Sequence, residues 1–181
     1  MRLFVAVELP DVVKKVLIDV QRSSVAGVRW LTEDQLHLTL QFLGEIGETE
    51  LEGLRHALGA IRCESFELEL TKIGCFPRPA SPRVVWVGVT GHQRLAHLAE
   101  EVRRVTAMCG VVSEERRFVP HITLGRVKQH DPGDRHITEL IGRPASSRVM
   151  RFRVDSFALF QSTLQRQGAL HTVVTRYPLI P

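Results

Sequence analysis

Two histidines, His37 and His121, sit in segments of the same pattern. His37-Leu-Thr-Leu40 and His121-Ile-Thr-Leu124 each alternate a polar residue with an apolar one. Side chains alternate faces along a strand, so His37 and Thr39 share one face while Leu38 and Leu40 share the other. His121 and Thr123 are set against Ile122 and Leu124 in the same way. Each strand therefore presents one imidazole and one hydroxyl on one side, a pair able to donate two hydrogen bonds to a phosphoryl group. Where two such strands face one cleft, a neutral imidazole takes a proton from an attacking water. The other, as imidazolium, gives a proton to the leaving oxygen. Free imidazole titrates near pH ~6.5, so both states are accessible near neutrality. The hydroxyls stabilise charge on the non-bridging oxygens. This is phosphodiester chemistry, and it requires no metal.

The remaining candidates carry weaker signals. A third match, His136-Ile-Thr138, is followed by Glu139 in a helix-like stretch and reads as coincidence. His56, His92, His97 and His130 lack metal-ligand spacing and read as surface or helix residues. Arg126 can reach a phosphate. Strict alternation sets it opposite His121, where a salt bridge closing two lobes competes with substrate contact. The same count puts Gly125 on the histidine side, leaving room for a ligand. Phe42 can stack on a base, but alternation groups it with the core leucines and favours packing. Arg78, Arg83, Arg116 and Arg117 read as solvated surface, with steering of RNA as the alternative.

The elements that must position the two motifs follow from periodicity. A strand covers Leu3 to Glu8, and a helix opens at Pro10-Asp11 and runs to about Ala26. Val28 to Leu31 follows, then His37 to Leu43 is a strand ended by Gly44, and a helix spans about Thr49 to Ala60. Phe66 to Ile73 alternates strictly as a half-exposed strand. The order then recurs: strand Arg83 to Val89, helix His92 to Cys109 stopped by Gly110, and strand Phe118 to Val127. A short helix over Arg135 to Ile141, one long strand from Met150 to Gln161, and a last strand from His171 to Tyr177 complete it. Corresponding positions are offset by about 80 to 87 residues, so residues 1–80 and 81–181 read as two copies of one unit in a single domain. The segment from Pro77 to Pro82 joins them, and its three prolines argue against helix and central strand. Lys128 to Asp134 reads as an exposed loop.

Composition bounds the rest. The chain has 181 residues, 44% of them hydrophobic and 24% charged, enough for a packed core. The net charge of +4 favours an anionic partner without demanding one. Three cysteines, Cys63, Cys75 and Cys109, form no Cys-x-x-Cys pair. They read as small buried hydrophobes in a reducing cytoplasm. No stretch is long enough to span a membrane.

The motifs, with Val28-Arg-Trp30, Gln35-Leu-His37-Leu-Thr-Leu-Gln-Phe-Leu-Gly44 and Phe118-Val-Pro-His121-Ile-Thr-Leu-Gly-Arg126, resemble the 2H phosphoesterase superfamily. Within it the chain is similar to the bacterial and archaeal RNA 2′,3′-cyclic phosphodiesterases, historically named 2′-5′ RNA ligases. Leu3 to Pro10, Phe76-Pro77, Arg83 to Gly88 and Phe157 to Ser162 extend the likeness over essentially the whole chain. The resemblance implies an α+β bilobal fold: two pseudo-two-fold-related lobes, each with an antiparallel-rich sheet and helices outside, around a central cleft. It implies hydrolysis of a terminal 2′,3′-cyclic phosphate to a 2′-phosphomonoester, without cofactor or metal. His37 matches the proton donor to the departing 3′ oxygen, His121 the base that activates water, and Thr39 and Thr123 the phosphate-binding threonines. The implied partners are RNA with a cyclic phosphate end or cyclic nucleotides; apart from the resemblance, a cytoplasmic monomer is expected, since nothing in the sequence demands a dimer. One departure is visible. The family commonly carries a tyrosine shortly after the glycine of the last loop, whereas here Gly168 is followed by Ala169, Leu170 and His171.

Three other readings compete. The same cleft can join RNA ends 2′-5′ by the reverse reaction, or bind RNA ends or nucleotides without turnover. It can also use its histidines as metal ligands, which predicts inactivation by a chelator.

Overall fold

The computed structural model describes residues 1–21, 27–112, 118–128, 135–165 and 168–181; of His92 and Arg135 only the backbone is described. Among the described residues, nine strands form one sheet. They are β1 (Arg2–Glu8), β2 (Val28–Trp30), β3 (His37–Glu45), β4 (Phe66–Arg78), β5 (Ser81–Thr90), β6 (His121–Val127), β7 (Arg151–Val154), β8 (Ser156–Gln165) and β9 (Gly168–Pro178). Their order is β7-β4-β5-β6-β3-β1-β8-β9, with β2 paired to β6. Every pairing between these strands is antiparallel.

The helices cover one face. They are α1 (Asp11–Gln21), α2 (Glu48–Gly59), α3 (His92–Met108) and α4 (Arg135–Leu140). Each buries residues at helical spacing: Val13 and Leu17; Leu54 and Leu58; Leu95, Leu98 and Val102; Ile137 and Leu140. These pack with Leu38, Ile122, Leu124, Val85 and Val87 from the sheet into the main core. Burial of each large aliphatic side chain contributes about 1.5–3 kcal/mol. A second, smaller cluster, Phe4, Ala6, Ala158 and Phe160 with Val173 against it, belongs to the opposite, open face. That is why β1 reads as an almost unbroken apolar run: a central strand is buried on both sides.

Three sequence expectations change. Met150 to Gln161 is not one strand. Asp155 breaks it into β7, an edge strand beside β4, and β8, beside β1. One residue thus links strands far apart in the sheet order, which requires the sheet to curl. Pro77 and Pro82 do not lie between strands; they pair with each other inside the β4–β5 hairpin. β7 reaches only Phe66 to Glu69 of β4, so the far end of β4 has a free edge, where a missing N–H removes no ladder bond. The strand containing His121 starts at that residue rather than at Phe118. Residues 22–26, into which the first helix was expected to run, and most of the expected loop from Lys128 to Asp134 lie outside the described residues.

The sheet also mixes the two sequence halves. β4, from residues 1–80, sits beside β5 and β7, whereas β8 and β9 complete the half containing β1 and β3. Cys63 and Cys75 are buried as expected, and Cys109, capping α3, is half-exposed.

Candidate active site

β3 and β6 meet through Leu38 and Ile122, the residues between histidine and threonine in each motif. Carrying that antiparallel register one residue either way sets His37 opposite Thr123 and Thr39 opposite His121. Leu38 and Ile122 are 0% exposed in the helix-side core, so the four polar side chains face the open side. All four are half-buried. Antiparallel pairing at this point relates the two motifs by a local two-fold axis.

Each imidazole is held by the same device. His37 Nδ1 lies 2.8 Å from the Gln35 carbonyl oxygen, and His121 Nδ1 lies 2.7 Å from that of Val119. A carbonyl only accepts, so Nδ1–H donates in both rings and Nε2 is left free for chemistry. Gln35 is itself anchored: its Nε2 donates to the Ala169 carbonyl at 2.7 Å, tying the start of β3 to β9. Both rings rest on aromatic pairs. Phe4 stacks on Phe160 at 5.0 Å and touches His37 at 4.8 Å. Phe76 meets Trp86 at 5.1 Å and His121 at 5.0 Å. Sequence reasoning assigned these four no role. Their signal was apolar residues on both faces of central strands.

Trp86 has room because Gly74 lies opposite it. A Cβ at Gly74 would come within 2.2 to 2.6 Å of three atoms of the indole six-membered ring. We predict that Gly74→Ala costs about 1–3 kcal/mol through overpacking and alters indole fluorescence. Denaturant unfolding measures it, and an unchanged midpoint would refute the contact.

Matching bulges correct the alternation argument. In β3, Ala6 pairs with Thr39 but Val5 with Gln41, so Leu40 is an extra residue. In β6, Trp86 pairs with Thr123 but Val85 with Gly125, so Leu124 is extra. Each bulge reverses the faces beyond it. Phe42 is therefore not a core residue: it is 65% exposed, faces Phe4 at 6.0 Å and belongs to the open face. Arg126 is exposed opposite Val84, on the histidine side rather than against it. Gly125 turns inward instead, and a Cβ there would meet Val28 at 2.8 Å and Trp30 at 2.9 Å. It makes room for β2, not for a ligand. Gln41, likewise turned inward, accepts a hydrogen bond from Thr106 Oγ1 at 2.9 Å. Arg78 and Arg83 are exposed along a groove beside Phe76; Arg116, Arg117 and His130 lie outside the described residues.

His171 was missed as a site residue. Its ring lies 5.1 Å from His37, edge to face, and 5.0 Å from Phe4. Its Nδ1 is buried without a hydrogen-bond partner among the described residues, which disfavours the imidazolium, since that form needs both N–H groups bonded. The departure noted after Gly168 was the only hint in the chain. Burial, then the charge that His171 carries when it is protonated, lowers His37 to about 4, with His121 adding to the effect and the Gln35 bond opposing it. Burial also lowers His121, against its bond to Val119, and lowers His171.

Among the described residues no group of three or more His, Cys, Asp or Glu side chains is placed to hold a metal ion. No helix among them is long and apolar enough to cross a membrane.

Paired imidazoles and hydroxyls on the open face of a curled antiparallel sheet define a two-histidine phosphoesterase, and the chain belongs to the 2′-5′ RNA ligase superfamily, whose profile matches residues 10–166. It is 34% identical over 173 residues to the RNA 2′,3′-cyclic phosphodiesterase of Archaeoglobus fulgidus, covering 94% of this chain and 96% of that one. To the enzyme of the same name from Thermotoga maritima it is 35% identical, covering 96% and 93%. The crystal structure of Escherichia coli LigT superposes with a TM-score of 0.84 at 31% identity, covering 99% of this chain and 98% of LigT.

Proposed function

We propose that this protein hydrolyses RNA 2′,3′-cyclic phosphate ends to 2′-phosphomonoesters, with His37 and His121 as acid and base. The observation that carries the reading is the pair of imidazoles, each clamped through Nδ1 to the carbonyl two residues back, on one face about a local two-fold axis. The activity for which both relatives are named agrees with it. Escherichia coli LigT has been crystallised with 3′-AMP, with ATP and with phosphate, all phosphate-bearing ligands.

In the reaction, His121 Nε2 takes a proton from water. The water oxygen bonds to phosphorus as the bond to O3′ breaks. His37 gives O3′ its proton, leaving a 3′-hydroxyl and a 2′-phosphate. Thr39 and Thr123 donate to the non-bridging oxygens; beside the reacting group, Arg126 offers a charge to a substrate phosphate and Phe42 a stacking surface for the base. Local symmetry leaves the order of acid and base open; the environment favours one. His37 is the more strongly depressed ring, first through its burial and then because His171 sits against it. Once protonated it is the stronger acid, as suits a donor to an alkoxide. The substrate's negative charge supplies what the free protein lacks, by stabilising imidazolium.

Product analysis tests the reading: RNA ending in a cyclic phosphate should yield the 2′-monophosphate, with or without chelator. A 3′-monophosphate product, or loss of activity on chelation, would sink it. Residues 1–80 and 81–181 fit two copies of one unit, a view the matched bulges support. We also expect a cytoplasmic monomer, which size-exclusion chromatography checks for oligomeric state.

The pH dependence has a definite sign. The active free form carries one proton on the pair. Both rings lie below their ordinary value, so this form is lost as pH rises through the acid-shifted range and again as it falls further. kcat/KM, which reports the free enzyme, should peak below about pH 6.5, and kcat, which reports the anion-bound enzyme, at higher pH. The limbs belong to the coupled pair rather than to either ring. A kcat/KM optimum above neutrality would contradict the burial argument.

A further inference from the structure

Arg29 and Arg126 stand directly opposite each other on β2 and β6, and both are exposed. Like charges at opposed positions of an antiparallel pair repel. A nearby carboxylate would relieve this, yet neither guanidinium has an ion-pair or hydrogen-bond partner among the described residues. Phe76, Val84, Arg126 and Arg29 run in one row across β4, β5, β6 and β2. Phe76 touches His121, so this row shares the open face with the imidazoles. Arg126 lies three residues beyond Thr123, and strand rise keeps their backbones within about 10 Å.

The position of Arg29 fixes which end of the site this is. Its guanidinium lies over Gly168: a Cβ there would come within 2.8 Å of Arg29 Nη2 and 3.2 Å of Gln35 Nε2. Gln35 is the residue whose carbonyl holds His37. The two uncompensated cations thus flank the His37 end of the cleft.

We propose that Arg29 and Arg126 form a second anion site for the phosphate on O5′ of the terminal nucleotide, so that the protein prefers an RNA chain to a free cyclic nucleotide. The proposal rests on the hydrolytic reading above. There His37 faces the departing O3′, so the ribose lies at the His37 end and the preceding phosphate leaves toward the arginines. Guanidinium suits the task, being permanently charged and shaped to grip two phosphate oxygens at once. A phosphodiester within a chain and a 5′-phosphate on a mononucleotide offer the same chemistry, and the experiment separates them.

Three substrates are compared in wild type and Arg29→Ala: a nucleoside 2′,3′-cyclic phosphate with a free 5′-hydroxyl, the same with a 5′-phosphate, and a cyclic-phosphate-ended oligoribonucleotide. In wild type, kcat/KM for the oligonucleotide should exceed that for the 5′-hydroxyl mononucleotide by about tenfold or more, as expected for a charged hydrogen-bonded contact. Arg29→Ala should remove most of that advantage and leave the 5′-hydroxyl mononucleotide nearly unaffected. The slope of log kcat/KM against log salt for the oligonucleotide should weaken by about 0.7, one single-strand phosphate contact. Arg29→Lys should keep part of the advantage. The melting temperature of Arg29→Ala should not fall, because the substitution relieves repulsion.

An oligonucleotide advantage that survives in Arg29→Ala overturns the proposal, as does an equal loss on all three substrates. A gain confined to the 5′-phosphorylated mononucleotide overturns the preference for a chain. If wild type turns over none of the three, the hydrolytic reading itself fails and this proposal falls with it.

Discussion

His37→Ala and His121→Ala should each lower turnover of a 2′,3′-cyclic phosphate by about two to four orders of magnitude, the usual worth of a positioned acid or base. The double variant should lose little more than either single one, since acid and base act in one proton-transfer step. Loss of folding must be separated from loss of chemistry. His37 packs on Phe4 at 4.8 Å and caps the Gln35 carbonyl at 2.8 Å, so its removal disturbs packing as well. His121 is less enclosed, on Phe76 at 5.0 Å. His121→Ala is therefore the cleaner variant and His37→Gln a useful companion, with thermal unfolding of each measured beside its kinetics. Either alanine variant retaining more than about a tenth of wild-type turnover would remove that residue from the proton transfers, given the range above.

Thr39→Val and Thr123→Val should each lower kcat by about 10²-fold, as when one donor to a developing oxyanion is lost. Valine keeps the branched shape and strand preference of threonine, so the substitution removes only the hydroxyl. The register gives the reason for expecting similar losses. Each threonine lies opposite the other motif's histidine, and among the described residues neither hydroxyl has a competing hydrogen-bond partner. Thr→Ser at either position should restore most of the rate. Steady-state kinetics decide the matter: a loss confined to KM would make the hydroxyls general binding groups, and no loss would remove them from the site.

The pH profile joins these two results. If His37 is the donor because His171 and burial make its proton easy to give up, the acid shift of kcat/KM should shrink when His171 is replaced by an uncharged residue. The local two-fold symmetry supplies two similar imidazoles, and the burial of His37 together with its asymmetric neighbour supplies the difference between them. That neighbour comes from β9, more than a hundred residues from His37 in the chain.

What the chain by itself determined was local. Alternation of His37, Leu38, Thr39 and Leu40, and its copy at His121, settled which side chains share a face, because a strand has a period of two whatever surrounds it. The helices were legible for the same reason, from apolar residues three and four apart. What only the tertiary structure decided was how each strand counts against its neighbours. The extra residues at Leu40 and Leu124 exist only relative to β1 and β5, so nothing within β3 or β6 could show that Phe42 and Arg126 turn toward the site and Gln41 and Gly125 away from it. The same holds for His171 beside His37, and for Arg29 opposite Arg126. A motif fixes which groups are offered; the pairing of distant strands fixes which of them meet.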